Sequence, residues 1–255
     1  MFRKDKKRSF WDSVKKAIRL ADVLLLLLDA RFVDESRNIE IEDKVRLARK
    51  PLIYVVTKSD MVEKRKAESN KGKMSPCVFI SAKDHTGRAK LKERIIIEAE
   101  RRYGKKARIN IGVLGYPNVG KSSLINYMKG QHSARTSCLS GYTKFTQVIK
   151  SDNRLYFIDS PGVIPYMEKD AVKHVSMSVI DSTKVHDPDL MVAELMRNHP
   201  GKIEAYFGVE TSDDKQKTIK EIALKKHMLL RGGIPDIERM CRLIIKNFQS
   251  GKIKI

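Results

Sequence analysis

The chain has 255 residues, with 52 lysines and arginines against 31 aspartates and glutamates, so its formal net charge is +21; that length suits one large α/β domain with a smaller second one, and the excess, spread along the chain, favours a polyanionic partner. The longest apolar run, Val23 to Leu28, is far short of the roughly 20 residues a membrane-spanning helix needs, and the opening MFRKDKKRSFW has no apolar stretch behind its charges, unlike a secretion signal. Cys77, Cys138 and Cys241 are odd in number and far apart, which supports neither a disulfide framework nor a zinc knuckle.

In chain order, VLLLLLD (Val23 to Asp29), LIYVVT (Leu52 to Thr57), CVFIS (Cys77 to Ser81), INIGVLG (Ile109 to Gly115) and LYFIDS (Leu155 to Ser160) are largely apolar runs, the pattern of parallel strands covered on both faces. Glu63 to Lys73 is polar enough for a mobile loop. Lys90 to Arg102 carries Leu91, Ile95, Ile96 and Ala99 at helical spacing, and a second helix is expected at Leu124, Ile125 and Met128. FTQVIK, within Thr143 to Lys150, partly alternates and reads as an antiparallel edge strand before a turn at Ser151-Asp152-Asn153. The fold class is therefore α/β, a doubly wound and mostly parallel sheet. After Gly162 only helices are expected. Asp187-Pro188 opens one toward Arg197, Ser212 caps one reaching Leu230, and Ile237, Met240, Cys241, Ile244, Ile245 and Phe248 share one face of the last, which Gly251 stops. The expected division is residues 1–168 and 169–255.

Gly115 to Ser122 matches G-x-x-x-x-G-K-S/T between a strand and a helix. In that setting the backbone N–H groups of Asn118, Val119, Gly120 and their neighbours wrap a phosphate. Lys121 reaches the outer phosphates, and the Ser122 hydroxyl, followed by Ser123, meets Mg²⁺. Asp159-Ser160-Pro161-Gly162 ends a later strand, where Asp159 orients the Mg²⁺ shell and the Gly162 amide meets a γ-phosphate. Thr143 is the expected second metal hydroxyl, with Thr136 and Thr146 as competitors. Thr57-Lys58-Ser59-Asp60 ends another strand, where the Asp60 carboxylate takes both the ring N–H and the exocyclic amine of guanine; adenine lacks that amine and leaves the acceptor unpaired. Thr57 stands where Asn is more usual and is expected to lose an amide that braces neighbouring loops. Ser81-Ala82-Lys83, again at a strand end, offers the Ala82 N–H to the guanine carbonyl.

The order TKSD, SAK, GYPNVGKSS, GYTK, DSPG resembles the circularly permuted GTPases, specifically the YlqF/YawG (RbgA-like) ribosome-assembly branch. Asp29-Ala30-Arg31 with Ser36-Arg37-Asn38, and the closing GGIPDIER through FQSGKI, favour the same branch. A sheet fixes where strands lie and not the order in which the chain visits them, so a rotated order leaves a nucleotide pocket intact. The resemblance implies a circularly permuted P-loop GTPase domain followed by a helical, basic, RNA-binding domain. It also implies GTP and GDP as ligands, hydrolysis with Mg²⁺, and partnership with rRNA and the large ribosomal subunit. Lys121, Asn118 and Gly162 form its expected catalytic set. Val163 follows Gly162 where many GTPases carry a water-aligning glutamine; the resemblance implies two substitutes, K⁺ held with help from Asn118 and stimulation by a pre-ribosomal particle. A histidine near the N-terminus is implicated in relatives, but none precedes His85 here.

Three matters stay open in the sequence. Asn118 serves either K⁺ or as a loop-bracing amide, and Asp29, Arg31, Ser36, Arg37 and Asn38 form either a functional element or a structural salt-bridged loop. Lys215, Lys217, Lys220, Lys225, Lys226 and Arg231 cluster in and just after one expected helix, with Arg239, Arg242 and Lys246 in the next, a one-sided excess that favours RNA phosphate. A factor for tRNA or mRNA, or a nucleotide-gated scaffold with negligible turnover, are the alternatives to a ribosome-assembly switch. A cytoplasmic monomer without membrane contact is expected.

Overall fold

The computed structural model describes residues 2–63, 74–130, 147–165, 168 and 170–255. Thr136, Cys138, Thr143, Thr146 and most of the polar stretch 63–73 lie outside them. The chain splits into two compact units, Met1–Glu168 and Lys169–Ile255.

The first unit opens with helix α1 (Phe2–Leu20) and strand β1 (Val23–Asp29), then a short turn of helix α2 (Val33–Ser36), α3 (Ile39–Leu47) and β2 (Leu52–Thr57). There follow β3 (Cys77–Phe79), α4 (Arg88–Tyr103), β4 (Ile109–Gly115), α5 (Lys121–Lys129), β5 (Gln147–Lys150) and β6 (Leu155–Asp159). The six strands pair in the order β3-β2-β1-β4-β6-β5. All neighbours are parallel except β5 and β6, which are antiparallel. The expected mixed α/β sheet with its antiparallel edge is thus present.

Every residue of β1 is buried, as its unbroken apolar run requires of a central strand with layers on both faces. Removing each of its leucines from water contributes about 1.5–3 kcal/mol. One covering layer is α1, whose Trp11, Val14, Ala17 and Ile18 recur at helical spacing and are buried, as is Ala21 just after it. α1 sits close to the sheet because Gly112 has no side chain: a Cβ there would stand 2.6 Å from Leu24 Cδ2 and 3.1 Å from Ala21 Cβ. In α4, Leu91, Ile95 and Ala99 are buried as expected, while Ile96 is only half-buried. Glu98 is buried instead and is ion-paired to Arg94 and Arg101.

Parallel strands end on the same side of a sheet, so the segments after β1, β2, β3, β4 and β6 share one rim. β1 lies between β2 and β4. The rotated chain order therefore brings TKSD and the phosphate loop to places one strand apart.

The second unit contains α6 (Ala171–Ser176), α7 (Pro188–Asn198), α8 (Lys202–Phe207), α9 (Lys215–Lys225) and α10 (Ile237–Gln249). Its core is Val192, Leu195, Met196, Ile203, Phe207, Ile219, Ile222 and the apolar face of α10 expected from its spacing. One helix start differs from expectation. Asp214, not Ser212, caps α9 by accepting from the Lys217 N–H at 3.0 Å, and the helix stops at Lys225, short of Leu230. The carboxylate reaches the third amide of the helix, whereas Ser212 accepts from Asp214 N at 3.3 Å and so only shapes the approach.

Candidate nucleotide-binding site

The loop between β4 and α5 has the backbone a phosphate cradle needs. Gly115 has φ 144° and Gly120 has φ 104°, conformations that favour glycine; a Cβ on Gly115 would also stand 2.8 Å from Leu27 O. Asn118, half-buried, has φ 58°. Val119 is buried, and α5 begins directly after Gly120, so its free N–H groups and positive dipole end face the loop. Ser123, in the first turn, is exposed.

Lys121 is buried, and its ammonium folds back to donate to Gly115 O at 3.2 Å and Tyr116 O at 2.5 Å. Burial pulls its pKa down to about 8, only partly offset by the charge of Asp159. Such a lysine carries a positive charge at neutral pH that an anion would stabilise. Ser122 Oγ donates to Asp159 Oδ2 at 3.3 Å, which places a hydroxyl and a carboxylate side by side at the helix start. Oxygen donors of this kind suit Mg²⁺, which is commonly held by one or two protein groups plus substrate phosphates. Among the described residues no group of three or more His, Cys, Asp or Glu side chains could hold a metal by itself.

Gly162 packs against the same loop. A Cβ there would meet Pro117 Cα at 2.5 Å, Pro117 N at 2.6 Å and Lys121 Nζ at 2.9 Å. Its successor Val163 is buried, donates its N–H to Gly115 O at 3.2 Å and accepts from Asn38 Nδ2 at 3.5 Å. Ser160 Oγ donates to Val113 O at 2.5 Å, fixing the turn between. Tyr116 donates its hydroxyl to Glu168 Oε2 at 2.5 Å; burial, then the carboxylate, hold that hydroxyl far above the ordinary tyrosine pKa. Nothing local to either residue points to this pair, which spans 52 residues.

Thr57 lacks the amide, as its residue type dictates, but its hydroxyl is engaged. Its hydroxyl lies 2.9 Å from Leu28 O and 2.6 Å from Val119 O, so it braces the end of β1 against the phosphate loop despite the missing amide. Lys58 follows at φ 56° and donates to Asp29 Oδ2 at 2.7 Å. Asp60 lies in the single helical turn Ser59–Met61 and accepts from Ser81 Oγ at 2.8 Å. Ser81, buried, also accepts from Asp84 N at 2.9 Å, and the Ser59 N–H donates to Ile80 O at 3.2 Å. The ends of β2 and β3 are thereby joined. Ala82, half-buried, and Lys83, exposed, occupy the turn closed by a Ser81–Thr86 bridge.

The Asp29–Asn38 stretch is a buried, salt-bridged loop. Arg31 grips Asp29 through Nε at 3.0 Å and a terminal guanidinium nitrogen at 2.9 Å. Ser36 Oγ accepts from Asp29 N at 3.0 Å and donates to Val33 O at 3.1 Å. Asn38 caps α3 by accepting from Ile41 N at 3.1 Å, and Arg37 forks onto Glu42. In the second unit, Lys217, Lys220, Lys226, Arg231, Arg239 and Lys246 are exposed. Three of the expected RNA cations are engaged within the unit: Lys215 with Ser212 O and Glu204, Lys225 with Gly208 O, and Arg242 with Glu238 and Ser182 O.

A family described as 50S ribosome-binding GTPase matches residues 110–230. An uncharacterized GTP-binding protein of Methanocaldococcus jannaschii is 36% identical over 245 residues, covering 94% of this chain and 65% of that protein. Nucleolar GTP-binding protein 2 of Neurospora crassa is 28% identical over 262 residues, 99% of this chain and 42% of that protein. The chain thus spans less than two thirds of the length of either relative. The GDP-bound structure of YlqF from T. maritima superposes with a TM-score of 0.65 at 21% identity, covering 94% of each chain. Its GNP-bound structure gives 0.64 at 20% identity, covering 95% of this chain and 94% of that one. With its motifs in rotated order and a mostly parallel sheet that gathers them on one rim, the chain has the fold of the YlqF structures and is similar over nearly its whole length to GTP-binding proteins.

Proposed function

We propose that the protein binds GTP and GDP on this rim, hydrolyses GTP to GDP, and acts as a switch in assembly of the large ribosomal subunit. The observation that carries this reading is the Thr57 hydroxyl on Val119 O, which ties the base-reading strand to the phosphate loop across 62 residues of sequence. Lys121 with the amides of Asn118, Val119, Gly120, Ser122 and Ser123 holds the phosphates. Lys58 and Asp60 read guanine, with Asp60 steadied by Ser81, and Ala82 and Lys83 close the base edge. Ser122 would hold Mg²⁺ with Thr143, which lies outside the described residues, as the expected second hydroxyl and Asp159 orienting the water shell; the ion would supply charge neutralisation on the phosphates. Gly162 senses the γ-phosphate.

Turnover by the protein alone is slow. Val163 is buried and hydrogen-bonded through both backbone groups, and its side chain has no polar atom to orient water. K⁺ near Asn118 and contact with a pre-ribosomal particle supply the missing help. The second unit offers its exposed cations to rRNA backbone, and the protein works as a monomer in the cytoplasm, off the membrane. Among the described residues no helix is long and apolar enough to cross a membrane.

Sedimentation with ribosomal subunits tests the assignment: co-migration with the large subunit in a locked GTP form and not with GDP is the expected result. Binding to free tRNA or mRNA instead contradicts it. Turnover measured with and without subunits, in K⁺ and in Na⁺, separates a switch from a scaffold, since a scaffold shows no stimulation in either salt. Asp60→Ala is expected to abolish the preference for GDP over ADP, measured by competition with a fluorescent nucleotide, because the carboxylate alone distinguishes the guanine amine.

A further inference from the structure

The Asp29–Asn38 loop has no part in the roles assigned so far, yet its first residue is paired with Lys58 of the base site. Asp29 closes β1 beside Thr57 of β2, and its side chain is 2% exposed. Around it lie two cations, Arg31 and the Lys58 ammonium at 2.7 Å. Burial pushes the Asp29 carboxyl upward, but Lys58 and Arg31 overcome this and hold it well below the usual carboxylate range, so it is ionised throughout the neutral range. The carboxylate is held from several sides. Arg31 N donates to Asp29 Oδ1 at 3.0 Å, Asp29 N donates to Ser36 Oγ at 3.0 Å, and Ala30 N donates to Thr57 O at 3.0 Å. Arg31 is thus the structural partner, and Lys58, with its side chain 21% exposed, is the partner that reaches the rim.

We propose that Asp29 is a positioning residue for guanine: by anchoring the Lys58 ammonium it sets the lysine's four-carbon stem in place as an apolar shelf for the base before nucleotide arrives. This rests on the reading that Lys58 and Asp60 form the base site. An unanchored lysine stem samples many rotamers, and ordering it on binding costs affinity. A stem already pinned at both ends avoids that cost. The pinning has two parts, the left-handed backbone of Lys58 at φ 56° and the ion pair at its tip. A flat purine needs contact area at this position, which a lysine stem supplies while its charge stays on a partner.

The experiment measures affinity for a fluorescent GDP on the full chain. Lys58→Met keeps a long apolar stem, removes the anchor and leaves the buried Asp29–Arg31 pair whole; about a ten-fold loss of affinity is expected. Lys58→Arg, which keeps the ion pair, is expected to stay within about three-fold of the parent. Asp29→Asn is expected to lose about as much as Lys58→Met, and the double variant no more than either, because both break one link. Thermal melting shows which variants fold; should Asp29→Asn not fold, the Met and Arg variants alone decide. Affinity of Lys58→Met equal to the parent, or additive losses in the double variant, overturns the proposal. A parent protein that binds no GDP overturns the functional reading beneath it, a distinguishable failure.

Discussion

Lys121 is where a single side chain sets a measurable property of the protein. Its burial lowers the pKa to about 8 in the ligand-free chain, with Asp159 opposing. Phosphates beside the ammonium favour the charged form, so the bound lysine titrates higher than the free one. Nucleotide binding therefore takes up a proton above about pH 8, and affinity for GDP is expected to be level below that pH and to fall as pH rises through it. Isothermal titration in buffers of different ionisation heat reads the proton directly, and no uptake at pH 9 contradicts the assignment. Gly162 makes the second residue-scale case. Its neighbours at 2.5 and 2.6 Å are backbone atoms of Pro117, which yield less easily than a side-chain tip. Gly162→Ala is expected to cost about 1–3 kcal/mol of stability and to abolish subunit-stimulated turnover while GDP still binds, as seen by melting, nucleotide affinity and phosphate release.

At the scale of elements, helix starts are set by single carboxylates. Asp236 accepts from Arg239 N at 3.0 Å at the start of α10, the helix whose Met240, Cys241, Ile244, Ile245 and Phe248 are all buried. Asp236→Ala removes that acceptor and is expected to cost about 1 kcal/mol, read as a lower melting temperature with GDP affinity unchanged, since the residue lies in the second unit. The strands follow a different rule. β1, β2 and β4 occupy the same residues that their largely apolar runs mark out, because each run is mostly buried inside the sheet. β3 and β6 stop short of Ser81 and Ser160, both of which turn their hydroxyls to other tasks, one to Asp60 and one to Val113 O.

Across the whole molecule, the net charge of +21 is the property a ribosomal partner would feel first. Subunit affinity is expected to fall steeply with salt, and each of Lys217, Lys220 and Lys226 changed to Gln is expected to lower the slope of log affinity against log salt by about 0.7–0.9 if it meets a phosphate. Lys215→Gln is expected to lower the melting temperature instead, because its ammonium is already committed to Ser212 O and the buried Glu204. Binding titrations at several ionic strengths separate the two groups.

The sequence by itself determined the chemistry. The spacing of Gly115, Gly120, Lys121 and Ser122, the strand-end placement of Asp60 and Asp159, and the apolar runs of β1, β2 and β4 are local features, and local rules suffice to read them. What only the tertiary structure decided is which distant groups meet. That Thr57 still braces the phosphate loop, that Asp29 holds Lys58, that Asn38 touches Val163 and that Lys215 and Arg242 look inward depend on contacts across 11 to 125 residues of chain. Residue type does not encode such meetings: those in the first unit arise because parallel strands bring their ends to one rim whatever order the chain visits them in, and those of Lys215 and Arg242 come from the packing of helices in the second unit.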